Sequence, residues 1–166
     1  MLKRYKGFTL IELLVVIGIL GILLAIVLIA INPARQFAQA DNTKRTSDAN
    51  TILNAIHQYY ADNRGILPPG MPARSDTEPA IEIKKDPINP GADICAEISP
   101  TYVSALPVDP TVKGSPLDTG NGIAVLDCTV EYLTGYFVKV DLAGRVTVIA
   151  DKTDLTVTPT KIAITR

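Results

Sequence analysis

The chain has 166 residues and a formal net charge of −1. That length suffices for one modest domain beside a membrane helix, and the balanced charge offers no dedicated nucleic-acid surface. A single histidine excludes a histidine metal cluster, and G-x-S-x-G, P-loop and C-x-x-C patterns are absent, so no catalytic activity, cofactor or metal is expected.

The first segment is a short basic leader, residues 1–7, carrying Lys3, Arg4 and Lys6 and ending in Gly7. Residues 8–31 follow with one charged side chain, Glu12, and no Asn, Gln, His or Pro. About 20 apolar residues span a bilayer as a helix, and a helix satisfies its own backbone polar groups there. The leader's cations place it on the cytoplasmic side. A secretory signal peptide would need a shorter apolar core and a small-residue cleavage site; here the run ends in Asn32-Pro33-Ala34-Arg35. A plain signal anchor accounts for the apolar run but not for Glu12. An ionisable residue in a spanning helix suggests a function and a partner, although a carboxylate in the first turn also meets the positive end of the helix dipole.

The phrase Gly7-Phe8-Thr9-Leu10-Ile11-Glu12-Leu13-Leu14-Val15-Val16 resembles the class III signal of type IV pilins and pseudopilins. The resemblance implies cleavage between Gly7 and Phe8 by a prepilin peptidase and N-methylation of the new Phe8 amine. It also implies that Glu12 pairs with the Phe8 amine of a neighbouring subunit. That fits a general rule: a buried carboxylate is tolerable when paired and costly when alone.

Residues 32–65 read as an amphipathic helix. Pro33 either kinks a continuous helix or restarts one after an Asn32 cap. Gly18 is explained by close helix packing. The resemblance makes Gly21 to Pro33 the candidate stretch for loss of helical structure in an assembled filament. Phe37, Ala49, Ile52, Leu53, Ile56, Tyr59 and Tyr60 recur at three- and four-residue spacing. Between them, residues 41–48 are polar on every side, the pattern of a solvated stem or of a strip contacting other subunits. His57 sits at the boundary of the apolar stripe. Asn63-Arg64-Gly65 and Pro68-Pro69 end the helix, and Tyr59 to Pro68 resembles the helix exit of pilins.

Residues 66–122 form a proline-rich connecting region, with prolines dense enough to exclude a continuous helix or a central strand. Short helical turns are allowed at residues 94–98 or 100–104. Leu106-Pro107-Val108-Asp109-Pro110 resembles the Leu-Pro-x-Asp-Pro that precedes the sheet in pilin-like proteins. Major secretion pseudopilins often carry a calcium loop after this motif and a Trp-Gly-Asn-Pro-like phrase; this chain has Thr111-Val112-Lys113-Gly114 there and no tryptophan. Asp118, Asp127, Asp141, Asp151 and Asp154 match no fixed calcium spacing, and solvated turns explain them more simply. Cys95 and Cys128 pair by default if this part lies outside the cytoplasm, which contributes roughly 3–4 kcal/mol in the chain-entropy model.

Residues 123–166 change to strand periodicity, with candidates at 123–129, 135–142 and 145–150 and an edge strand at 161–165. Asp141 to Arg145 is the hairpin turn. The expected fold is α+β: a long amino-terminal helix, transmembrane in its first half and amphipathic in its second, packed on a small antiparallel sheet. The expected function is a structural subunit of a type IV pilus-like filament, made as a membrane-anchored prepilin and ending on the cell surface. Its partners would be other copies or related pilins, the prepilin peptidase, an assembly platform and membrane lipid. The alternatives are a pseudopilin of a type II secretion or competence system, and an anchored binding module that does not assemble.

Overall fold

The structure is a computed structural model that describes residues 7–116, 120–151 and 161–166. Asp118 and Asp154, and the leader cations Lys3, Arg4 and Lys6, lie outside the described residues. The chain divides into two compact units between Phe37 and Ala38.

The first helix, α1, spans Leu10–Ile31. Its side chains from Leu10 to Leu28 are apolar apart from Glu12, and none is buried. Asn32 ends it in the left-handed conformation, φ 43. The second helix, α2, spans Pro33–Asp62. Asn32 Oδ1 accepts from the Arg35 amide at 3.4 Å, so the sequence Asn-Pro restarts a helix: cap first, then a proline whose missing N–H is not needed. Arg64 and Gly65, both with positive φ, end α2, and the Gly65 amide bonds the Tyr60 carbonyl at 2.9 Å.

The buried positions of α2 are Ala38, Asn42, Arg45, Ala49, Ile52, Leu53, Ala55 and Ile56. Six of them, Ala38, Asn42, Arg45, Ala49, Ile52 and Ile56, alternate steps of four and three, the spacing of one helix face, and Leu53 and Ala55 widen it. That corrects the reading of residues 41–48 as a solvated stem or subunit strip. Asn42 and Arg45 occupy the seam, and a partner from the same chain makes their burial tolerable.

The sheet is antiparallel, in the order β1-β2-β3-β4. Its strands are β1 Ile81–Lys85, β2 Tyr132–Val140, β3 Val146–Ala150 and β4 Ile162–Thr165. Tyr136, Val138 and Val140 of β2 pair with Ala150, Val148 and Val146 of β3. The Asp141–Arg145 turn joins them, closed by the Asp141 amide on the Arg145 carbonyl at 3.0 Å. The α+β architecture is as expected, but the first strand is not. Residues 123–129 contribute only a two-residue bridge, Leu106 with Val125. An Asx turn in which Asp127 Oδ1 accepts from the Thr129 amide at 2.8 Å curls that segment before a strand can form. The edge place is taken by β1, from within the proline-rich region. Its five residues hold no proline, and an edge strand tolerates the prolines flanking it.

One core joins these elements. Ile52, Leu53 and Ile56 of α2 share it with Ile83, Val138 and Val148 of the sheet. Burying each such side chain contributes about 1.5–3 kcal/mol. A short helix, α3, Cys95–Ile98, closes one side. A disulfide joins Cys95 to Cys128, 33 residues on, and pins the curled segment after Val125 to α3.

Candidate functional site

Two polar constellations stand out, one in each unit. The first is the start of α1. Thr9 is the N-cap, with extended backbone. Its amide donates to Glu12 Oε2 at 2.9 Å, and its hydroxyl donates to the same oxygen at 2.7 Å. The Glu12 amide returns to Thr9 Oγ1 at 3.3 Å. This is a complete capping box. The Thr-x-x-Glu spacing is legible in the sequence, yet the sequence reading offers only the helix dipole and a neighbouring subunit as partners for Glu12. Glu12 is therefore satisfied within its own helix while remaining exposed. Phe8 is 82% exposed. Among the described residues, a Cβ on Gly7, Gly18 or Gly21 would meet nothing within 4 Å, so packing inside this chain does not require those glycines.

The second constellation lies where α2 meets the loop before β2. Arg45 Nε donates to Asp109 Oδ2 at 2.7 Å, and Nη2 donates to Oδ1 at 3.2 Å. Both side chains are almost fully out of contact with solvent. Arg45 Nη1 donates to Asn42 Oδ1 at 2.8 Å. The Thr111 amide and hydroxyl donate to Asp109 Oδ1 at 2.8 and 2.6 Å. Burial alone would raise the Asp109 pKa, but the Arg45 and Thr111 hydrogen bonds outweigh it and hold the carboxyl below its ordinary value. One residue earlier on α2, Lys44 Nζ donates to the Val108 carbonyl at 3.4 Å and the Gly122 carbonyl at 3.2 Å. One turn later, Asp48 accepts from the Tyr136 hydroxyl at 2.9 Å. Burial raises the Asp48 pKa; burial and the adjacent Asp48 push the Tyr136 phenol well above its usual range.

Gly135 makes this arrangement fit. It has φ 74, and a Cβ there would stand 3.0 Å from both Asp109 Cβ and Val112 Cγ2. The register of β1 against β2 slips opposite this point, between Glu82 and Lys84.

The described aspartates that the sequence offered as calcium candidates have protein partners. Asp127 caps Thr129, Asp141 pairs with Arg145 and Asp151 with Lys161 at 3.5 Å. Among the described residues no three acidic, histidine or cysteine side chains group as metal ligands. His57 is half-buried at the boundary.

Residues 2–28 match the prokaryotic N-terminal methylation motif. The amino terminus carries a prokaryotic N-terminal methylation motif. The chain is 44% identical over 85 residues to a type IV major pilin protein, PilE1, of Neisseria gonorrhoeae, an alignment covering 48% of this chain and 35% of that one. It is 41% identical over 61 residues to type II secretion system core protein G of Aeromonas hydrophila, covering 37% of this chain and 41% of the relative. The chain thus spans well under half the length of these curated relatives. No solved structure matches it. Gly7, Phe8, Glu12 and Gly21 fall within the matched segment, and Pro33 falls beyond it. The Arg45–Asp109 pair lies outside it as well.

Proposed function

We propose that the chain is a structural subunit of a type IV pilus-like filament. The observation that carries this reading is α1: a helix with the methylation motif whose apolar surface is entirely exposed from Leu10 to Leu28. Such a surface needs lipid before assembly and other helices after it. A prepilin peptidase hydrolyses the Gly7–Phe8 bond on the cytoplasmic face, and the new Phe8 amine is N-methylated. An unpacked Gly7 suits recognition by that peptidase.

Assembly then exchanges the partners of Glu12. In the single chain its carboxylate is held by Thr9; in the filament it takes the Phe8 amine of a neighbour. Gly21 to Pro33 supplies the stretch that loses helical structure as helices pack. The partners are copies of the chain or related pilins, and an assembly platform. The chain resides in the cytoplasmic membrane, amino terminus inside, and then in a surface filament. The likeness to core protein G favours one second reading, a pseudopilin of a secretion or DNA-uptake system. On either reading the subunit is structural and catalyses nothing.

Two measurements test this. Intact mass of the mature protein, from cells with a prepilin peptidase, should lack residues 1–7 and carry one added methyl group. An uncut terminus would leave a simple anchor and make a non-assembling binding module the better account. Glu12→Ala should abolish filament incorporation and leave the folded head, the unit Ala38–Arg166, unchanged; normal filament yield would refute the pairing.

A further inference from the structure

The basic residues Lys3, Arg4 and Lys6 all precede the span. From Phe8 to Thr43 the one basic side chain is Arg35, so it is the cation at the far end of the span. The lengths are informative. With Glu12 at the inner boundary, the 19 residues Leu13–Ile31 rise about 28 Å, close to the roughly 30 Å of bilayer hydrocarbon. That puts the Asn32 break at the outer boundary, where water and headgroups can satisfy backbone groups that hydrocarbon cannot.

Arg35 then stands one turn into the headgroup zone. Phe37, two residues further, is 71% exposed. Helical side chains lean toward the amino terminus, so its ring lies back toward the membrane. A cation that reaches phosphate while its stem covers apolar surface, beside an aromatic ring, is the composition of an interfacial anchor.

We propose that Arg35 and Phe37 form an outer-leaflet lipid anchor, with the Arg35 guanidinium on lipid phosphate oxygens and the Phe37 ring at the headgroup–acyl boundary. The inference rests on the membrane-span reading of α1 but not on filament assembly. The anchor sets the depth of the waiting subunit and must be released before it can leave the bilayer.

The chain has no tryptophan, so Phe37→Trp gives a single probe and Val16→Trp a control within the span. Each full chain is reconstituted in vesicles of phosphatidylcholine and phosphatidylglycerol containing lipids brominated near the headgroup or deep in the acyl chain. Val16→Trp should be quenched by the deep bromines and Phe37→Trp by the shallow ones. Arg35→Gln in the Phe37→Trp background should shift the buried-to-hydrated ratio about fivefold toward water. If Phe37→Trp is unquenched while Val16→Trp is quenched, the anchor is refuted and Phe37 is left to contact another copy of the chain. Unchanged quenching on Arg35→Gln refutes the phosphate contact, and with it the anchor as stated. An unquenched Val16→Trp refutes the span itself.

Discussion

Glu12 and Arg45 are both charged residues set into apolar helical faces, and the molecule treats them in opposite ways. Glu12 opens α1, which has nothing of its own unit to pack against, and its carboxylate is satisfied by Thr9 in the same turn. Arg45 sits in the buried seam of α2 and is satisfied by Asp109, a residue 64 positions away. A local bond of the first kind can be exchanged without unfolding anything. A buried long-range pair of the second kind cannot, because removing either partner strands the other charge in the core. The difference separates a contact suited to assembly from one suited to holding a domain together.

The largest expected effect comes from breaking the buried pair. Arg45→Met leaves Asp109 uncompensated and should cost about 3–5 kcal/mol, read by denaturant unfolding of the full chain in detergent. Replacing both, Arg45→Met with Asp109→Leu, should recover most of that loss; a double variant as unstable as the single one would mean the pair is not the source. Next comes the staple. Replacing Cys95 and Cys128 by serine should cost roughly 3–4 kcal/mol in the same assay.

The pH dependence sharpens the contrast further. Asp109 has a folded pKa below its unfolded value, so its stabilisation is present above the unfolded pKa and is lost as pH falls through the folded one. Asp48 is shifted the other way, so its ionised form costs stability at neutral pH and that cost is relieved as pH falls through its raised pKa. Asp48→Asn should therefore flatten the mildly acidic part of the stability profile and leave the strongly acidic fall intact. The smallest effect belongs to the exchangeable contact. Thr9→Ala should loosen only the first turn of α1, by about 0.5–2 kcal/mol, seen as faster amide exchange at residues 10–12 with no change in head stability.

Much of this contrast was legible in the sequence, but unevenly. The apolar run and its Glu12 need only local rules, and α1 follows; Asn32-Pro33 allowed either a kink or a restart, and the Thr9 cap went unread. The hairpin at Asp141–Arg145 and the edge strand at Ile162–Thr165 are also local. Residues 41–48 misled because a charged residue is buried only when a distant partner meets it, and nothing in Asp41 to Asp48 names Asp109. The spacing Ala38, Asn42, Arg45, Ala49 was available, but only to a reader willing to count Asn and Arg as seam positions. Strand β1 was hidden by its proline neighbours. Residues 123–129 have strand composition yet are curled by Asp127 and tied by Cys128. The motif at residues 7–12 could be read because its meaning is chemical, whereas the Arg45 pairing depended on tertiary structure.

Gly135 carries a consequence for how this fold can be re-engineered. The turn at Asp109–Val112 rests so closely on β2 that a side chain at 135 would strain a backbone at φ 74 and make its neighbours give by a few tenths of an ångström. Grafting a new loop between α3 and β2 would therefore succeed or fail at a strand position outside the graft. A designer who kept Asp109 and Arg45 but restored an ordinary β-former at 135 would push the acid away from its base while leaving every visible partner in the sequence.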